Sequence, residues 1–119
     1  MDMLKVKIKS KPWGEENLLV KTDTYAMKKI TINPGHRMSL QYHEQKEETI
    51  YVLNGVLIVW SSETFEDHIT MGPGSVYHVK PGTVHRFGSP EGVETVVLEC
   101  STTELEDVVR LADDYHREG

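Results

Sequence analysis

Thr49-Ile50-Tyr51-Val52-Leu53-Asn54-Gly55-Val56-Leu57-Ile58-Val59-Trp60 is the stretch that decides the class of fold. Two short runs rich in valine, isoleucine and leucine flank Asn54-Gly55, and both turn residues tolerate the positive φ that a two-residue hairpin needs. The expectation is strand, hairpin turn, strand. The apolar-rich part, Ile50 to Trp60, is too short to span a bilayer.

On either side the same period of two recurs. Val6 and Ile8 alternate with Lys5, Lys7 and Lys9. Further strands are expected at Leu18–Val20, Met27–Ile32, Met38–His43, His68–Met71, Val76–Val79, Arg86–Gly88 and Val93–Glu99. Pro12, Asn33-Pro34-Gly35, Gly72-Pro73-Gly74, Pro81-Gly82 and Ser89-Pro90-Glu91-Gly92 punctuate them. Many short strands with regular turns imply an all-β sandwich or barrel. No segment between strands is long and periodic enough to be a crossover helix. The tail reads differently: Ser101 can cap a short helix or turn carrying Leu105, Val108, Val109 and Leu111.

A chain of 119 residues implies one domain, here an N-terminal strand and arm (1–20), a barrel core (21–100) and a tail (101–119). With 38% hydrophobic, 27% charged and 8% aromatic residues, it is neither disordered, collagen-like nor a disulfide miniprotein. Thirteen basic against nineteen acidic side chains give a net charge of −6. That balance argues against a nonspecific nucleic-acid binder, whose affinity rests on phosphate neutralisation. It leaves room for a small phosphorylated ligand held by local cations. One cysteine, Cys100, rules out an internal disulfide and reads as a small buried apolar residue. The first residues lack the apolar core of a signal peptide, so a soluble, cytoplasmic protein with no membrane partner is expected.

The chemistry concentrates in Arg37-Met38-Ser39-Leu40-Gln41-Tyr42-His43. In a strand, Arg37, Ser39, Gln41 and His43 share one face, and Met38, Leu40 and Tyr42 the other. The polar face either lines a barrel cavity or faces solvent. Glu48 opens the next strand, and hairpin pairing would bring it beside His43. His85 follows the Pro81-Gly82 turn. Gln41, His43, Glu48 and His85 together offer oxygen and nitrogen donors suited to a divalent metal. His36, His68 and His116 read as solvent-exposed, and His78 faces out if Tyr77 and Val79 face in. Trp13 and Trp60 read as packing residues, with Trp13 near enough to Lys11 to rim a site. Tyr77 fits either a core ring or a pocket hydroxyl.

The spacing Gly35-x5-Gln41-x-His43-x4-Glu48-x6-Gly55 resembles the first cupin motif, and Gly74 to His85 resembles the second. Lys80 and Ser89 depart from that second motif, where proline and asparagine are usual. Lys11-Pro12-Trp13-Gly14, Lys28-Lys29-Ile30, Pro34 to His43, His85-Arg86-Phe87 and Glu106 to Tyr115 are similar to the cupin domain of type II mannose-6-phosphate isomerases. The resemblance implies a single small cupin-type β-barrel, a double-stranded β-helix or jelly roll, with a short helical or irregular C-terminal tail. By analogy with the family it also implies a homodimer. It implies one divalent ion held by Gln41, His43, Glu48 and His85, zinc first, with manganese, nickel, cobalt and iron open. Many relatives also carry a nucleotidyltransferase domain that makes GDP-mannose. This chain is too short to include one, so pyrophosphorylase activity is not expected of it.

The implied reaction interconverts mannose 6-phosphate and fructose 6-phosphate through a metal-stabilised enediolate. It needs a Lewis acid at the C1 and C2 oxygens, a base near the carbon-bound proton, and donors for the phosphate. Arg37, Arg86, Arg110 and Lys28 are candidates for the phosphate, Arg37 foremost by its strand parity, with Ser39 and Lys11 as further substrate contacts. Lys28, Asp113, Asp114 and Glu15 are candidates for the base. The competing readings are another metal-dependent cupin enzyme, an oxygenase or sugar epimerase, and a noncatalytic metal- or sugar-binding module.

Overall fold

Eleven strands and no helix make up the described residues, 3–64 and 66–117, of the computed structural model. In chain order they are β1 (Lys7–Lys11), β2 (Gly14–Lys21), β3 (Ala26–Ile32), β4 (Leu40–Tyr42), β5 (Glu48–Asn54), β6 (Leu57–Trp60), β7 (His68–Met71), β8 (Val76–Val79), β9 (Arg86–Gly88), β10 (Thr95–Ser101) and β11 (Val109–Ala112). One antiparallel sheet has the order β1-β2-β3-β10-β5-β8. Facing it are β7-β6-β9 and the pair β11-β4. Bridges Arg37↔Gly88 and Gln41↔His85 join those two smaller sheets into a second wall.

The period of two sorts the interior. On β3, Ile30 and Ile32 are buried while Lys29 is exposed; on β5, Ile50 and Val52 are buried while Tyr51 and Leu53 are exposed. Val97 of β10 sits opposite Val52 and Ile30. With Leu57, Val59, Val79, Phe87 and Trp13 these form the apolar core. The same inward face turns polar towards one end, where Glu48 pairs with Ser101 and Glu99 lies opposite Ile50 and Lys28. The barrel therefore has an apolar half that holds it together and a polar half that lines a cavity.

Three sequence expectations change. First, Asn54-Gly55 does not close a hairpin. β5 pairs with β10 and β8, whereas β6 pairs with β7 and β9. Gly55, at φ 83°, bends the chain out of one sheet into the other. Thr95 ties this corner down: its Oγ1 accepts the Val56 amide at 3.1 Å and donates to the Val56 carbonyl at 2.7 Å.

Second, the tail holds a strand rather than a helix. Val109–Ala112 pairs antiparallel with β4, placing Arg110 opposite Gln41 and Val109 opposite Tyr42. Four residues are too few for a stable helix, and β4 would otherwise leave backbone groups unpaired. Third, Cys100 is exposed, because Glu99 takes the inward position and parity turns Cys100 outward.

A methyl group on Gly55 would collide with the Glu94 carbonyl and Thr95, whereas one on Gly74, also at positive φ, meets nothing within 4 Å. Gly55→Ala is expected to lower stability by about 2–3 kcal/mol, and Gly74→Ala by about 1 kcal/mol. Urea denaturation midpoints of the two variants check the difference.

Candidate metal centre and cavity

The polar half of the barrel brings His43, Glu48 and His85 together at 3%, 2% and 1% exposure. His43 arrives just after β4, Glu48 opens β5, and His85 precedes β9. Backbone bonds between Gln41 and His85, 2.9 Å in each direction, lock two of these segments side by side. The hairpin expected between β4 and β5 does not form. Glu48 reaches His43 across the gap between the two walls instead.

The hydrogen bonds define the two imidazoles. His43 Nδ1 donates to the Asp107 carbonyl at 2.6 Å, and His85 Nδ1 donates to the Thr83 carbonyl at 2.9 Å. In the neutral rings each Nε2 then carries a lone pair. Those two atoms lie 3.1 and 3.2 Å from Glu48 Oε1. All three ligand atoms fall within 4.8 Å of one another. Three lone-pair donors facing each other in a buried space are costly unless a metal ion or a proton lies between them. The residues therefore fit a divalent metal with nitrogen and oxygen ligands. Gln41 lies in the cavity wall with His43, its Oε1 accepting a 2.6 Å hydrogen bond from Ser39 Oγ.

The cavity that His43 and Gln41 line measures about 550 Å³. Seven cations line it, Lys7, Lys9, Lys11, Lys28, Lys46, Arg110 and Arg117, against three acids, Glu16, Glu99 and Glu106. That local excess is opposite in sign to the chain's net charge of −6. Lys28 Nζ pairs with Glu16 Oε2 at 3.2 Å. Arg110 Nε is buried without a hydrogen-bond partner. Trp13 and Met38 supply apolar wall.

Two ionisable residues here had no place in the sequence reading. Lys46 and Glu99 both line the cavity, and Lys46 Nζ lies 3.5 Å from Glu48 and 3.4 Å from Glu99. Burial and the neighbouring Glu48 push the Glu99 carboxyl well above the usual range. Burial also works against ionised Glu48, but the hydrogen bond from Glu99 and the charge of Lys46 hold it well below that range. The two neighbouring carboxyls are thus pushed in opposite directions, Glu48 down and Glu99 up. Strand parity pointed Glu99 inward with Val97 and Ser101; the apolar context hid its purpose.

Several expected site residues lie elsewhere. Arg37 does not face the cavity. Alternation breaks at Met38 and Ser39, which both line it, because the regular strand begins only at Leu40. Arg37 instead binds the Asp114 carboxylate through Nε and Nη2 at 2.6 and 2.9 Å, with its guanidinium over the Trp60 ring. Arg86 is buried outside the cavity lining, its Nη2 donating to the Ala112 carbonyl at 3.0 Å. Asp113 is held by Arg117 at 2.8 and 3.0 Å. Neither aspartate lines the cavity, and Glu15 is also outside it. Lys11, Lys28, Ser39 and Arg110 do line it. His36, His68, His78 and His116 are exposed, Trp60 is buried, and Tyr77 packs against the core. Among the described residues no helix is long and apolar enough to cross a membrane.

The two-walled barrel with a buried His-Glu-His group defines a cupin-type double-stranded β-helix. The chain belongs to the family described as mannose-6-phosphate isomerase C-terminal, whose model matches residues 3–113. It is 31% identical over 111 residues to the mannose-1-phosphate guanylyltransferase of Escherichia coli K12, covering 90% of this chain and 22% of that protein. The chain thus spans about a fifth of the length of the curated relatives it matches. Among solved structures it resembles the polyketide cyclase RemF of Streptomyces resistomycificus, with TM-score 0.77, 19% identity, and 93% and 85% of the two chains covered. It also resembles a cupin-superfamily sugar phosphate isomerase of Silicibacter pomeroyi, with TM-score 0.66, 20% identity, and 76% and 59% covered. At these identities the structural likeness establishes the fold.

The Asp113 and Asp114 pairs carry a pH signature. Hydrogen bonds from Arg37 hold the Asp114 carboxyl below its usual range. Burial would raise Asp113, but hydrogen bonds from Arg117 outweigh it and hold it low. A depressed carboxylate stabilises fully above its unfolded value, about 3.9, and the contribution drains as pH falls through the folded value. Denaturation midpoints followed from pH 7 to pH 3 are expected to fall less steeply for Asp113→Asn and Asp114→Asn than for the unaltered chain.

Proposed function

We propose that this chain is a metal-dependent sugar-phosphate isomerase that interconverts mannose 6-phosphate and fructose 6-phosphate. One observation carries the reading: a buried His-Glu-His group lies beside a strongly cationic cavity that His43 and Gln41 both line. His43, Glu48 and His85, with Gln41 beside them, would hold the ion, zinc by preference. When bound, it supplies a Lewis acid for the sugar's C1 and C2 oxygens.

The rest falls to the chain's own side chains. Arg110 sits opposite Gln41 across the β11–β4 pairing, so an anion on its free Nε–H lies next to the metal end. Lys11 and Arg117 add charge on the same cavity. Trp13 and Met38 exclude water from one side of the sugar. Glu99, which lines the cavity, is the carboxylate that in its ionised form takes the proton from C2 and returns it to C1. Lys46 Nζ keeps that carboxyl oriented. The family match and the guanylyltransferase relatives support mannose-phosphate chemistry for this domain.

Zinc-loaded protein is expected to convert mannose 6-phosphate to fructose 6-phosphate in a coupled assay, and His43→Ala to lose both turnover and zinc. Arg110→Ala is expected to raise KM about ten- to a hundredfold, the worth of one charge-assisted hydrogen bond. Zinc binding without turnover on this substrate would overturn the isomerase assignment in favour of a binding module.

A further inference from the structure

The tail touches the candidate metal centre through Asp107, which lies between β10 and β11. Its carbonyl oxygen receives the His43 Nδ1–H at 2.6 Å. Its carboxylate receives three successive backbone amides, Glu44 at 3.0 Å, Gln45 at 2.7 Å and Lys46 at 2.9 Å. Residues 44–47 are the link that carries the chain from β4 to β5, and so from His43 to Glu48. One residue therefore grips the link through its side chain and the first ligand through its main chain.

Each contact has a distinct consequence. A carbonyl aimed at Nδ1 selects the tautomer with hydrogen on that nitrogen, which leaves the Nε2 lone pair for a metal and fixes the ring plane. Three converging amides form a concave anion site that a single carboxylate fills. The third amide belongs to Lys46, whose Nζ reaches Glu48 and Glu99. Loss of the carboxylate would free the link and let the carbonyl drift from His43, although the carbonyl itself remains in the chain.

We propose that Asp107 is the positioning residue of the metal centre: its carboxylate clamps the 44–46 amides and thereby holds its own carbonyl on His43 Nδ1. This rests on reading His43, Glu48 and His85 as metal ligands. Asp107 touches neither metal nor substrate. It acts through His43, and it makes the C-terminal segment part of the site.

The test uses the full chain and cobalt(II) as a spectroscopic probe. Metal-free protein is titrated with cobalt by calorimetry and by visible absorption, alongside thermal melting. Asp107→Ala is expected to weaken cobalt binding about ten- to a hundredfold, the usual effect of losing a ligand's orienting partner, and to alter the absorption band. Asp107→Asn, which keeps one acceptor oxygen, is expected to fall between, and it carries the comparison if Asp107→Ala does not fold. Asp114→Ala releases a different tail contact, the Arg37 pair, and is expected to bind cobalt as the unaltered chain does. Nitrogen NMR of His43 in metal-free protein is expected to show hydrogen on Nδ1, and a mixture of tautomers in Asp107→Ala. Unchanged affinity, absorption band and tautomer in Asp107→Ala would overturn the proposal even if the melting temperature fell, as would an equal loss of cobalt binding in Asp114→Ala. Failure of the unaltered chain to bind cobalt would instead overturn the metal reading, while the tautomer measurement would still decide the role of Asp107.

Discussion

Two imidazole nitrogens and a carboxylate oxygen face one another inside the barrel, and their lone pairs cannot satisfy each other. The Nδ1 hydrogens of His43 and His85 are already committed to main-chain carbonyls. Glu48 Oε1 is close to both Nε2 atoms. Such an arrangement is costly in a buried space unless a metal ion or a proton lies between the three atoms. The interior polar groups around it follow from that demand. Lys46 Nζ lies between the Glu48 and Glu99 carboxyls, and Ser39 fixes the Gln41 amide.

The apolar half of the barrel makes this arrangement affordable. Ile30, Ile32, Ile50, Val52 and Val97 are almost fully buried on the same sheet that carries Glu48 and Glu99. Truncating such a residue typically costs about 2–5 kcal/mol. One continuous inward face thus runs from cohesion to chemistry along β5 and β10. The opposite wall contributes its ligands at irregular places, just after β4 and just before β9, where side chains are not bound to strict alternation.

The outcome at individual residues shows what a linear reading can reach. All ten anticipated strand positions hold strands, because alternation of buried and exposed side chains is a local property that survives folding. Val109–Ala112 carried too few residues to separate helix from strand, and the unpaired edge of β4 decided it. Arg37 was misplaced because parity counts only within a regular strand, and the regular part starts at Leu40. Asp113 and Asp114 have the chemistry of a base but are occupied by Arg117 and Arg37. Glu99 was legible as inward-facing, but the upward push on its carboxyl was not, since that depends on burial and on Glu48 lying beside it.

From the sequence alone came the β class, the strand positions and the donor types of His43, Glu48 and His85, which the structure brings together, because period, turn chemistry and donor type are written in consecutive residues. Tertiary structure alone decided that Asn54-Gly55 crosses between sheets, that Arg110 faces the cavity while Arg37 does not, and that a backbone carbonyl from the tail orients His43. Those outcomes depend on which distant strands become neighbours, and a main-chain oxygen carries no residue-type signal to announce its partner.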